Sequence, residues 1–153
     1  MPIYEGIKDT LKLHLEIIEA GGKPPVIAIG ELTQPQHDEI NIHRAAEKLP
    51  PLESREIVYM GRHHYKSRVV EDGYHIDDLL QQIINGLSHD SSFKKNPRKP
   101  HGTVLVNPIP RDDGYGNQVT DNAVLELTSR KPRAELFSVI PKGDTNKPKK
   151  RTP

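Results

Sequence analysis

The apolar residues of this chain change their spacing between residues 87 and 102, and this change limits the folds open to it. Up to residue 87 they recur every three or four positions, as in Ile7, Leu11 and Leu15, which is typical of amphipathic helices. From residue 102 onward they alternate with polar residues, as in strands. Helices followed by strands predict an α+β fold, with N-terminal helices packed on a small antiparallel sheet of about four strands.

Local signals give approximate bounds for these elements. Helices are predicted at residues 5–20, from Thr33 as N-cap to just before Pro50, at residues 62–70 and at residues 76–87. Strands are predicted at residues 55–60, 102–107, 122–129 and 134–140.

The low apolar content predicts a compact domain that is smaller than the whole chain. Only 33% of the 153 residues are hydrophobic, against roughly 45–50% in an average domain. Residues 1–32 are predicted to be a helical appendage, because one helix and one short extended segment are too little to fold alone. Residues 33–144 are predicted to form the α+β domain, and residues 145–153 a basic disordered tail.

Charge is unevenly distributed along the chain. Residues 1–60 carry six basic and ten acidic side chains, whereas residues 61–153 carry sixteen and eleven. A local basic excess is typical of a protein that binds a polyanion, although a solvated basic surface gives the same count. The chain has no cysteine, which excludes disulfides and thiolate metal sites.

Several other classes of protein are not expected from this sequence. It contains no apolar run of roughly 18 residues, as a membrane span requires, and its start lacks the pattern of a signal peptide. We therefore expect a cytoplasmic protein without membrane association. The motifs of phosphate loops, dinucleotide sites, zinc proteases and serine hydrolases are missing from the sequence, so we expect no cofactor and no metal ion.

The densest group of chemically active side chains is the sequence GRHHYKSR at residues 61–68. In a helix, His64 and Arg68 share one face, and Arg62 and Lys66 share another. An imidazole transfers protons near neutral pH and a guanidinium neutralises phosphate oxygens, so this pattern suits phosphodiester chemistry. A single histidine is more often structural than catalytic, and that alternative stays open.

A second group of polar side chains lies on the hairpin predicted over residues 122–140. Glu126, Thr128 and Arg130 would project from one face of its first strand. Beside His64 they would add an acid–base pair and a phosphate clamp. The alternative is the ordinary solvent face of an antiparallel sheet.

Four short segments of the chain resemble a known family. They are residues 59–68, 72–78, 126–132 and 135–142. In order and in polar motifs, they are similar to the barnase/EndoU/colicin/RelE-like ribonucleases, toxin-type nuclease domains found at the C-termini of phage head-morphogenesis proteins and polymorphic toxins. The resemblance covers roughly residues 33–144 of this chain.

The resemblance implies a metal-independent endoribonuclease that is located in the cytoplasm of a host or target bacterial cell. Such an enzyme lets the RNA 2′-hydroxyl attack its own phosphate, and leaves a 2′,3′-cyclic end. RNA, tRNA included, would be the substrate, and an immunity or inhibitor protein a further partner. By motif, the site would comprise His64 as general acid or base, Arg68 as phosphate clamp, Thr128 and Arg130 on the sheet, Ser138 on the last strand, and Arg62, Lys66 and Lys142 as substrate-binding residues.

A different class of function also fits the sequence. Low apolar content and long flanks suit a chain that folds onto a partner. The alternative prediction is therefore a non-catalytic binding protein, encoded by a phage or mobile element, that inhibits a host factor or associates with a virion.

Overall fold

The computed structural model describes residues 3–88, 93–95 and 102–143. In these ranges the helices lie where the apolar spacing predicts them. They are α1 (Lys8–Glu19), α2 (Gln34–Ala46), α3 (Arg62–Tyr65), which continues as a π-helical segment (Lys66–Glu71), and α4 (Ile76–Gly86). No helix in the described ranges is long and apolar enough to cross a lipid bilayer.

The strands form one mixed sheet in the described part of the chain. They are β1 (Ile27–Glu31), β2 (Glu56–Tyr59), β3 (Phe93–Lys95), β4 (Gly102–Val106), β5 (Arg111–Asp112), β6 (Gln118–Glu126) and β7 (Ala134–Gly143). Their order is β1-β2-β7-β6-β4-β3, with β5 paired to β6. Strand β2 runs parallel to β7, and the other pairs are antiparallel.

The predicted α+β class is confirmed, whereas the predicted sheet of about four antiparallel strands is wrong. The sheet is larger because β1, β3 and β5 join the four strands that the sequence predicts. It is mixed because β2 joins β7 in parallel, with Ile57 opposite Ala134 and Tyr59 opposite Leu136.

The start of α2 shows how local sequence sets a helix end. The Thr33 side chain accepts a hydrogen bond from the Gln36 backbone N–H, and the Gln36 side chain accepts one from the Thr33 N–H. This reciprocal capping box satisfies two amide groups that a helix end leaves unpaired. Pro35 lies in the first turn, where its missing N–H costs nothing.

The hydrophobic core lies between the sheet and helices α1 and α4. Leu11 and Leu15 of α1 and Leu79 and Ile83 of α4 are fully buried. Helix α4 packs against β6 and β7, and α1 packs against α4. The sheet residues of this core lie side by side on neighbouring strands: Leu105, Ala123 and Val139.

Residues 3–32 form part of this core, whereas the sequence predicts an appendage. Strand β1 pairs with β2, Ile3 bridges to Gly30, and α1 contributes Leu11 to the buried cluster. A single helix and strand can fold here because the rest of the domain covers their apolar sides. The predicted tail, residues 145–153, lies outside the described residues.

Candidate functional site

His64, the acid–base group expected from the sequence, lies in the core with no exposed surface. Its Nδ1 is 2.8 Å from the Tyr59 hydroxyl, and its Nε2 is 2.9 Å from Oε1 of Gln82. Because a side-chain carbonyl oxygen only accepts, Nε2 donates to Gln82 and Nδ1 accepts from Tyr59. Both ring nitrogens are thus occupied, and the ring cannot touch a substrate in this structure.

The buried imidazole joins three elements of the fold. Tyr59 ends β2, His64 lies in α3 and Gln82 lies in α4. A second buried imidazole, His14, lies against the same tyrosine, with the ring centroids of His14 and Tyr59 5.3 Å apart, and its Nε2 accepts a hydrogen bond from the Gly61 N–H at 3.0 Å. These contacts fix the start of α3 on the core, which is a positioning role and not proton transfer to a substrate.

We predict that acid destabilises the fold through these two histidines. Burial lowers the pKa of His64 from 6.5 to about 3, and burial also lowers the pKa of His14. Between pH 6.5 and about pH 3, the unfolded chain binds a proton at His64 that the folded chain does not bind. The free energy of unfolding therefore falls as pH drops below 6.5, by up to ~1.4 kcal/mol per pH unit for each histidine.

Urea unfolding at pH 7 and pH 4.5 measures this effect in the wild type and in His64→Gln. The variant is less stable at pH 7 because it loses the paired imidazole. It has no imidazole to protonate at this position, so its loss of stability relative to the wild type should shrink by roughly 2–3 kcal/mol at pH 4.5. If the free energies of unfolding of the wild type and the variant differ by the same amount at both pH values, His64 is not a buried neutral imidazole.

Arg68 is also engaged inside the protein. Its guanidinium lies 2.9 Å from the Asp72 carboxylate, and the two side chains are only 16% and 8% exposed. An arginine whose charge is already paired with a carboxylate is a poor phosphate clamp. The predicted His64–Arg68 pair is therefore structural in this fold.

The residues expected from the hairpin do not share one strand face. Strand β6 ends at Glu126, so Thr128 and Arg130 lie in the loop that follows it. Thr128 and Ser138 are buried, whereas Arg130 and Lys142 are exposed. None of the four occurs among the described residues that line the cleft between α1 and α3.

That cleft has a volume of about 510 Å³ and lies between the C-terminal end of α1 and helix α3. Its described lining residues are Ile18, Gly21, Gly22, Lys23, Arg62, His63, Tyr65 and Lys66. The structure thus brings together two sequence-predicted substrate-binding residues, Arg62 and Lys66, and adds Lys23 from the opposite side. All three cations are exposed, and no carboxylate occurs among these described residues.

Two backbone features shape the α1 side of the cleft. Gly21 has a φ of +86°, a left-handed conformation that ends α1 and that glycine adopts at little cost. A side chain at Gly22 would begin 2.8 Å from a methyl carbon of Ile17, so the chain passes close to the helix there. This tight turn carries Lys23 toward α3.

His63 is the exposed member of the histidine pair. Its ring stacks on Phe137 with centroids 3.9 Å apart and planes at 22°, and its Nε2 lies 3.3 Å from the Ser67 hydroxyl. The register between β6 and β7 shifts at this point, because Val124 pairs with Ser138 and Leu125 with Leu136. Phe137 is thus the extra residue of a β-bulge, a feature that redirects side chains.

Tyr65 and Ile18 give the cleft an apolar side. Both are half-buried and pack against the hydrophobic core. Burial raises the pKa of the Tyr65 phenol, and the nearby Glu19 raises it further. The phenol is therefore uncharged near neutral pH, and the site combines an uncharged ring, three cations and an accessible imidazole.

Comparison of the chain with protein-family models, with curated proteins and with solved structures finds no match in any of the three. The resemblance to toxin-type ribonucleases therefore stays a prediction from short motifs.

Proposed function

We propose that this protein binds the phosphate backbone of RNA in the cationic cleft and cleaves it without a metal ion. The observation that supports the proposal is the cleft of about 510 Å³ that is lined both by the cations Lys23, Arg62 and Lys66 and by an exposed imidazole, His63. Clustered cations attract a polyanion and neutralise its phosphates. An imidazole at the same place supplies the proton transfer that phosphodiester cleavage needs.

The proposed reaction assigns proton transfer to His63. The imidazole takes the proton of the RNA 2′-hydroxyl, and the 2′ oxygen forms a bond to the adjacent phosphorus. The bond from phosphorus to the 5′ oxygen breaks, and that oxygen takes a proton from a water molecule in the open cleft. The hydroxide that remains takes the proton back from the His63 imidazolium, which restores the neutral base. The products are a 2′,3′-cyclic phosphate and a 5′-hydroxyl. Arg62 and Lys66 stabilise the negative charge that builds on the phosphate oxygens.

RNA is favoured over DNA because its nucleophile is already part of the substrate. The 2′-hydroxyl distinguishes the two nucleic acids at any given site. A cleft with cations and one base can activate this internal hydroxyl, whereas DNA offers no such group. The resemblance of residues 59–68 to toxin-type ribonucleases points to the same reaction.

A second candidate function is RNA binding without cleavage. It is favoured by one observation, the presence of a single imidazole and no carboxylate among the described lining residues. Ribonucleolytic sites gain from a second proton-transfer group that protonates the leaving oxygen. A cleft without one is also consistent with a protein that holds RNA and leaves it intact.

The test combines cleavage and binding. Purified protein is incubated with total RNA in EDTA, and the new ends are analysed for cyclic phosphate. Cleavage with cyclic ends supports the enzyme. Binding without cleavage, with or without added divalent metal, supports the second candidate.

We predict that the double variant Arg62→Ala/Lys66→Ala weakens RNA binding strongly. Each lost phosphate contact should reduce the slope of log affinity against log salt by about 1, and the slope is measured by titration at several salt concentrations. The matched control is Lys8→Ala/Lys12→Ala, which removes two exposed cations with the same spacing from the other end of α1. Equal affinity and slope in both double variants would contradict the proposed interface.

A further inference from the structure

We infer that the cleft accepts one unpaired nucleotide, with its base against Tyr65 and Ile18 and its phosphate on Arg62 and Lys66. The ligand class is therefore single-stranded RNA and not duplex. This inference rests on the proposed function and deepens it. It is supported by the observation that the same cleft has an apolar side and a cationic side.

The apolar side packs on the hydrophobic core and is only partly covered. Tyr65 and Ile18 pack against the buried core on one side, while each keeps part of its surface in the cleft. They come from different elements, α3 and α1, so the apolar surface spans the cleft. A surface that bound only the backbone would need neither group, since phosphates and sugars are polar.

The size of the cleft agrees with a single nucleotide. Its volume of about 510 Å³ lies within the range of roughly 300–1,000 Å³ found for pockets that enclose small ligands. In a duplex the bases are stacked and paired in the interior, so none is free to enter such a pocket. Proteins that bind single strands combine a basic groove with aromatic rings on which bases stack.

Tyr65 supplies the aromatic ring on which the base would stack. Removing one aromatic ring on which a base stacks lowers affinity by about 5- to 140-fold. Tyr65→Leu removes the ring and keeps an apolar side chain, whereas Tyr65→Phe keeps the ring and removes only the hydroxyl. The two variants therefore separate stacking from hydrogen bonding and from loss of core contacts.

The experiment measures binding of three probes to the wild type and to both variants. The probes are a 2′-O-methyl single-stranded RNA 12-mer, which resists cleavage, its blunt duplex, and inorganic polyphosphate. We expect the wild type to prefer the single strand over the duplex. Tyr65→Leu should lose about ten-fold for the single strand and nothing for polyphosphate, and Tyr65→Phe should behave as wild type.

The outcomes separate this inference from the proposed function. If Tyr65→Leu binds the single strand as tightly as the wild type, or if the duplex binds equally well, the inference is overturned and the proposed function stands. If Arg62→Ala/Lys66→Ala leaves polyphosphate binding unchanged, the proposed function itself fails. Should Tyr65→Leu not fold, Ile18→Gln tests the same surface and is expected to show the same selective loss.

Discussion

Replacing Arg44 with methionine is expected to destabilise the protein by about 3 kcal/mol. Arg44 has no exposed surface, and its guanidinium donates to the carbonyl oxygens of Pro50, Leu127 and Ser129 at 2.7 to 2.9 Å. A methionine fills similar space but leaves three carbonyls without their donor, at about 1 kcal/mol each. Because whole domains are stable by roughly 5–15 kcal/mol, this loss is large.

Chemical unfolding of wild type and variants at pH 7 measures the effect. The matched control is Arg130→Met, because this arginine is exposed and lies in the loop whose carbonyls Arg44 binds, and its effect should lie within about 0.5 kcal/mol. Arg44→Lys should also destabilise, since a lysine keeps the charge but lacks the planar fork that reaches three acceptors. A loss below about 1 kcal/mol for Arg44→Met would show that the carbonyls find other donors.

Arg44 also explains where the sequence prediction of β6 fails. The alternation of apolar residues predicts a strand up to residue 129, but β6 ends at Glu126. The carbonyls of Leu127 and Ser129 are bound by a side chain from α2 instead of a neighbouring strand. The alternation of apolar and polar residues cannot reveal a hydrogen-bond donor that lies more than 80 residues away in the chain.

The elements that could be predicted have signals contained within a few residues. The capping box of Thr33 and the apolar stripe of α4 are examples, and both helices form where expected. The pairing of β2 with β7 has no such signal, because Ile57 and Ala134 are separated by about half of the chain. For the same reason the sequence does not show that β1 and α1 complete the core.

The sequence predicts the region of the candidate cleft and two of its cations, Arg62 and Lys66, but it predicts neither His63 nor Lys23 as a site residue. Adjacent helical positions point about 100° apart, so only one residue of the pair His63–His64 can face the core. Which one does so depends on the partners Tyr59 and Gln82, and these are known only from the fold. Lys23 is likewise missed, because the turn after α1 carries it to α3 from 40 residues upstream.

His63→Asn is expected to reduce cleavage of RNA by at least 100-fold if the proposed reaction is correct. Positioned general acids and bases contribute about 10²- to 10⁴-fold to such reactions. Asparagine keeps a polar side chain of similar size that does not exchange protons near neutral pH. RNA affinity should change little, because Arg62, Lys66 and Lys23 still hold the phosphates. The measurement is the single-turnover cleavage rate together with the affinity for a 2′-O-methyl oligonucleotide.

The comparison of His63→Asn with His64→Gln decides between the two neighbouring imidazoles. His64 is buried between Tyr59 and Gln82, so its variant should lose stability while its folded fraction keeps most of the cleavage rate. His63 is exposed on Phe137, so its variant should keep stability and lose the rate. A His43→Asn variant, altered at an exposed position on α2, controls for loss of any imidazole. The opposite pattern, an inactive but well-folded His64→Gln with a fully active His63→Asn, would assign proton transfer to the buried ring and require the core to open during the reaction.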